Sequence, residues 1–258
     1  MTMTNAAAVL DGRVALVTGV SRPGQIAEAT VRRLHDAGAT VYATGWPAHD
    51  AEQPWGSSEV DLPVPVGRHD LENRSTPGAV VDEVIATHGR LDIVVAAHAR
   101  SADGNLADTS AEQLDRLWAV NVRSTILLAQ RFAAVHHAAP AGDPPTGRML
   151  WFTSGQHLGP MDGEIAYAVS KGALHQMTES IDHALAASRI VANCINPGPV
   201  DTGYADPPTR EHVAEMFPDG RWGMPDDIAD LIEFLVSDRG AWIRGQVVNT
   251  EGGFNRFS

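Results

Sequence analysis

Tyr167 and Lys171 stand four residues apart in the run Tyr167-Ala168-Val169-Ser170-Lys171. On a helix that spacing puts both side chains on one face. A free phenol, with a pKa near 10, is a poor acid at neutral pH, and a neighbouring ammonium improves it by stabilising the phenolate. Lys171 is the chain's only lysine, all its other Lys/Arg positions being arginine, and Tyr167 is one of three tyrosines. Their pairing is improbable by chance. A lysine kept in an arginine-biased chain points to a task for a tunable ammonium, which a guanidinium cannot perform. The plain alternative is an ion-bearing surface of a helix. Ser154 lies thirteen residues before Tyr167, just after an apolar run, with Thr153 as a competing hydroxyl. Asn121 falls inside a helical stretch, where asparagine is disfavoured. It reads either as a working residue or as a buried amide tied to its neighbours.

These residues need a scaffold, and the hydrophobic pattern supplies one. Short apolar runs at 14–17, 40–43, 64–66, 91–97, 149–153, 190–195 and 246–250 read as strands. Between them, helical patterns cover 26–37, 77–88, 110–137, 166–187 and 225–236, with Gly38 and Gly89 as stops. Continuous apolar strands alternating with helices imply a parallel sheet covered on both faces. The expected fold is α/β, one doubly wound Rossmann-type domain over residues 1–258 with a seven-stranded, mostly parallel sheet. Two long stretches, 46–63 and 197–222, carry no clear pattern, and the second suits a substrate lid. Residues 1–9 read as a frayed leader, and Pro140 to Gly147 as a turn.

The first strand runs into Thr18-Gly19-Val20-Ser21-Arg22-Pro23-Gly24-Gln25-Ile26-Ala27. A glycine-bearing turn between strand and helix lets backbone N–H groups meet a pyrophosphate, aided by the helix dipole. Taken alone, two glycines there are most often only a turn. No acid follows the second strand, which ends Ala43-Thr44-Gly45-Trp46, whereas Arg22 lies in the turn. A base there suits a 2′-phosphate and favours NADP(H), with NAD(H) as the alternative.

Together these motifs resemble the short-chain dehydrogenase/reductases, over residues 12–253. The turn is similar to the family's Thr-Gly-x-x-x-Gly-x-Gly, with Gln25 and Ala27 where glycines are usual and Gly24 displaced by one. The resemblance implies a nicotinamide dinucleotide held by Gly19, Ser21, Arg22, Gly24 and Ile26. Asp70 and Leu71 would lie beside adenine, although Asp70 reads equally well as a capping residue. Ala97, Tyr167 and Lys171 would border the ribose. Pro197, Gly198, Val200 and Thr202 would hold the carboxamide. It implies that Ser154 polarises a substrate carbonyl, Tyr167 donates the proton, Lys171 assists it, and Asn121 positions a relay water. The stretch 154–164 should border the substrate and is most similar to 3-oxoacyl thioester reductases. Family members pair into dimers or tetramers through helices matching 110–137 and 166–187. Where the family shows Asn-Asn-Ala-Gly, this chain has Ala96-Ala97-His98-Ala99. His98 is expected to fill that gap or line the pocket. A regulatory binding protein on the same fold, with weakened cofactor affinity, is the rival reading.

Bulk properties narrow the partners. Of 258 residues 43% are apolar and 20% charged, and the formal net charge is −13. Such a balance argues against a nucleic-acid or anionic-membrane surface, because little basic charge is left to neutralise phosphates, while leaving room for a local basic pocket for one phosphorylated cofactor. No run approaches the ~20 apolar residues of a membrane span. The lone Cys194 sits in an apolar strand, reads as a core thiol and fits a reducing cytoplasm. The histidines form no metal-ligand pattern, so no metal is expected, and His136-His137 reads as a solvated helix end.

Overall fold

The computed structural model describes residues 8–53, 56–137 and 146–256. Among them one sheet of seven strands runs through the molecule: β1 (Val14–Thr18), β2 (Thr40–Gly45), β3 (Val66–Arg68), β4 (Ile93–Ala96), β5 (Gly147–Phe152), β6 (Ile190–Asn196) and β7 (Val247–Asn249). Their order is β3-β2-β1-β4-β5-β6-β7, and every neighbouring pair is parallel.

The continuous apolar strands are explained by burial on both faces. In β1, Ala15 and Val17 enter one core and Val14 and Leu16 the other, because successive strand side chains point to opposite faces. The first core is closed by α1 (Ile26–Asp36) and α8 (Pro225–Val236), while α2 (Pro47–Ala51) follows β2. The second is closed by α3 (Thr76–His88), α5 (Ser124–Val135) and α6 (Ile165–Leu185). Gly89 ends α3 at φ 75°, a left-handed cap that glycine adopts without penalty.

The expected helix over 110–137 is three pieces. Ser110 caps α4 (Ala111–Leu117), its hydroxyl accepting from the Gln113 amide at 3.1 Å. A π-helical segment, Trp118–Arg123, follows and leads into α5. The two stretches without a pattern also differ from expectation. The first holds α2, and the second holds α7 (Pro207–Glu215), each opened by proline at its start. Both are too short or too polar to show an apolar stripe. His136 is not a solvated helix end: it contacts Leu91 O at 2.9 Å and Thr146 Oγ1 at 3.1 Å. No described helix is long and apolar enough to cross a membrane. Residues 1–7 of the expected leader and most of the turn from Pro140 lie outside the described residues.

Candidate active site

The carboxyl ends of β1, β2 and β4–β6 open into one cavity of about 1220 Å³. That exceeds the roughly 300–1,000 Å³ of a pocket for one drug-sized ligand. The site is built where open α/β sheets bind ligands.

At its centre, β5 delivers Ser154 and α6 delivers Tyr167, and the Ser154 hydroxyl hydrogen-bonds the Tyr167 phenol. Thr153 does not compete, since its hydroxyl is buried and donates to Lys171 O at 2.9 Å. Lys171 lies one helical turn beyond Tyr167, 2% exposed, with Nζ 5.5 Å from the Tyr167 ring centroid. Nζ donates to Phe152 O at 2.9 Å. Burial lowers the Lys171 pKa to about 8, partly opposed by Cys194. Burial, followed by the charge of Glu164, raises the Tyr167 pKa above its ordinary value, while the Ser154 hydrogen bond lowers it. Burial thus opposes the acidification expected from Lys171. A raised pKa keeps the phenol protonated but makes it the weaker acid, so transfer of its proton needs the phenolate to be stabilised by Ser154 and by the Lys171 ammonium beside the ring.

Asn121 sits in the π segment, where the widened turn frees its side chain to bridge. Its Oδ1 accepts from Arg100 N at 2.7 Å, and its Nδ2 donates to Arg100 O and to Ser170 Oγ, each at 2.9 Å. The amide thus ties the β4 loop to α6 beside Lys171. Its main-chain carbonyl accepts from the Thr125 hydroxyl at 2.8 Å.

His98 fills the gap left by the absent asparagines. Its Nδ1 lies 2.7 Å from Thr18 Oγ1, and its Nε2 lies 2.7 Å from Ser124 Oγ and 3.1 Å from Val120 O. This one ring pins the end of β1 to the π segment. Burial, then the charge of Lys171, pulls its pKa to about 4, so it is a neutral brace. The same region explains Gly19: at φ 85°, a Cβ there falls 2.6 Å from His98 N.

Around the glycine turn, Gly19, Ser21, Arg22 and Ile26 line the cavity, and Asp70, Leu71 and Ala97 do so beyond it. Gly24 does not: it is exposed, and its N–H donates to Glu28 Oε2 at 2.6 Å. Gln25 itself lines the cavity, and its Nε2 donates to Thr202 O at 3.1 Å in the loop after β6. Asp70 caps its own turn, Oδ1 accepting from Glu72 N at 2.9 Å. Pro197, Gly198, Val200 and Thr202 line the opposite end, organised by Asn196, whose Oδ1 accepts from Gly198 N at 3.2 Å.

Some site residues were not visible in the sequence. Asp50 on α2 is an acid after the second strand, 3.9 Å from Arg22 Nε and 5% exposed. It was missed because it follows the strand by a helix. Arg256 also lines the cavity, as does Glu164, the last residue of the stretch 154–164 expected to border the substrate. Glu164 is three residues before Tyr167, a spacing that places it one turn away.

The residues fit a phosphorylated dinucleotide. The turn at Gly19 leaves no room for a side chain, Gly45 lets Val20 O approach to where a Cβ would lie only 2.0 Å away, and Arg22 brings a guanidinium to the adenine end.

A seven-stranded parallel sheet in this order, with serine, tyrosine and lysine gathered at the strand ends, defines an oxidoreductase of the Rossmann class. A family model described as enoyl-(acyl carrier protein) reductase matches residues 19–255. The chain is 35% identical to the "uncharacterized oxidoreductase YjdA" of Bacillus subtilis, over 95% of this chain and 97% of that one. It is 31% identical to the "NADPH-dependent aldehyde reductase-like protein, chloroplastic" of Arabidopsis thaliana, over 95% of each chain. The angucycline C-6 ketoreductase LanV, solved with bound NADP, superposes with a TM-score of 0.79 at 28% identity, covering 96% of this chain and 97% of that one. The chain belongs to the short-chain dehydrogenase/reductase family, and it is an oxidoreductase enzyme of that family.

Proposed function

We propose that this enzyme reduces a ketone or aldehyde to an alcohol with NADPH. One observation carries the reading: a protonated Tyr167 hydrogen-bonded to Ser154 in the cavity wall, with Lys171 buried behind it. NADPH, when bound, supplies a hydride for the carbonyl carbon. Ser154 holds the carbonyl oxygen by its hydroxyl. Tyr167 gives its phenolic proton to the oxygen as negative charge develops there, so the product leaves as the alcohol. Lys171 offers a positive charge to the phenolate left behind and to the ribose hydroxyls. Asn121 holds the β4 loop against α6 and so keeps Tyr167 and Lys171 in register.

Arg22 supports NADP(H) over NAD(H), as a guanidinium suits a 2′-phosphate. The NADP-bound LanV structure and the NADPH-dependent name of the Arabidopsis relative agree with it. Residues 1–258 act in this reading as one domain, with 197–222 covering the substrate end. Exposed Leu114, Trp118, Ile126 and Val169 on α4–α6 support a homodimer or homotetramer. The buried Cys194 suits the cytoplasm.

NADPH oxidation against a carbonyl panel tests the reading. Tyr167→Phe should lower kcat by about 10²–10⁴, while NADPH still quenches or enhances the fluorescence of Trp46, which lines the cavity. Near-normal turnover by that variant would reject it. Absence of saturable binding by either nucleotide would favour a regulatory binding protein instead.

A further inference from the structure

We infer that the substrate carries a carboxylate close to its reactive carbonyl and that Arg256 receives it; this rests on the reductase reading above. Arg256 comes from the tail after β7, yet its guanidinium lies in the cavity against Gly155, the residue following Ser154. A Cβ on Gly155 would fall 2.3 Å from Nη2 and 2.6 Å from Cζ. Glycine at 155 thus makes room for this cation next to the serine that would hold the carbonyl.

The tail is pinned where it places the guanidinium. Asn255 N donates to Met216 O at 2.9 Å, and the Phe254 and Phe217 rings lie 5.1 Å apart. Phe254 also lies under the Arg256 guanidinium, 5.1 Å away. Glu251, which accepts from Asn196 Nδ2 at 3.0 Å, takes one N–H of Arg256. That is the guanidinium's one hydrogen bond among the described residues, and its Nε is buried without an acceptor. A guanidinium that served only to anchor the tail would be satisfied on more than one N–H, since buried donors normally are. Left as it is, it has N–H groups to give to a ligand.

Charge in the cavity sets the substrate's direction. Asp103 and Glu164 lie by the loop after β4, where the cavity's Arg100 and Arg116 are taken up by Glu72 at 3.9 and 3.4 Å, whereas Arg256 comes from the strand-β7 side, with Ser154 of β5 between them. Burial and Asp103 raise the Glu164 pKa, so that flank repels further negative charge. An anionic substituent is therefore favoured on the Arg256 side and disfavoured on the other.

Matched pairs of acid and methyl ester test this: phenylglyoxylate, acetoacetate and 4-carboxybenzaldehyde, each against its ester, with NADPH. The wild type should prefer at least one acid by tenfold or more in kcat/KM, the scale of a charge-assisted hydrogen bond. Arg256→Gln should erase that preference through the KM of the acid. Arg256→Lys, which keeps the charge, should retain part of it, and both variants should bind NADPH as the wild type does. Ester preference or parity in the wild type for every pair overturns the inference, as does an acid preference that survives in Arg256→Gln. No turnover of any carbonyl with NADPH or NADH is a different result, which removes the reductase reading itself.

Discussion

His98 makes acid sensitivity a calculable property of this fold. Burial and the Lys171 charge pull its pKa from 6.5 to about 4. An unfolded chain takes up a proton on this ring as pH drops below 6.5, whereas the folded chain refuses it until near 4. Stability from this group is thus fully present above pH 6.5 and is lost as pH falls toward 4. Between pH 7 and pH 5 the loss amounts to about 2 kcal/mol, and the whole gap is worth about 3 kcal/mol. Urea unfolding at the two pH values, on the wild type and on His98→Gln, isolates the ring. His49, His136 and His175, whose pKa values burial also lowers, contribute equally to both proteins and cancel. The variant will be less stable at pH 7, since it loses hydrogen bonds to Thr18 and Ser124. Its stability should nevertheless fall about 2 kcal/mol less than the wild type's on going to pH 5. Equal pH dependence in the two would show that His98 is not held neutral.

Other perturbations follow from the same geometry. Turnover should decline as pH rises through about 8, where the Lys171 ammonium loses its proton, and a pH–rate profile of kcat checks this. In Arg22→Gln/Asp50→Asn, which removes both charges of the pair together, NADPH affinity should drop about 10–100-fold with NADH affinity little changed, by fluorescence titration. Gly19→Ala forces a Cβ to 2.6 Å from His98 N, so it should lower the melting temperature and weaken NADPH binding in parallel. Asn121→Ala strips partners from both main-chain groups of Arg100 and should cost about 2–4 kcal/mol in urea unfolding.

The seven parallel strands were legible because buried parallel strands write themselves as unbroken apolar runs, and α8 was bounded correctly by its proline and its stripe. Ser154, Tyr167 and Lys171 were legible because i, i+4 spacing and a strand end suffice to bring them together. What escaped depends on contacts between distant parts of the chain. A π turn differs from an α turn by one residue in a hydrogen-bond ladder, and nothing in Val120-Asn121-Val122 announces it. Gln25 stands where the family carries a glycine, yet its side chain has a partner in Thr202, 177 residues away. His98 as a brace needs Thr18 and Ser124 to be neighbours, and Arg256 in the cavity needs the tail to fold back over β5. Pairwise spacing cannot express such meetings.

The chain's solitary lysine has a practical corollary. Lys171 is 2% exposed, and an amine with a pKa of about 8 carries a substantial uncharged fraction just above neutrality, far more than an ordinary lysine. It is at once the most acylatable side-chain amine in the molecule and the most sheltered. Lysine-directed esters will leave the native protein's side chains unmodified, and the rate at which they mark this single position will read out how often the centre of the fold comes open.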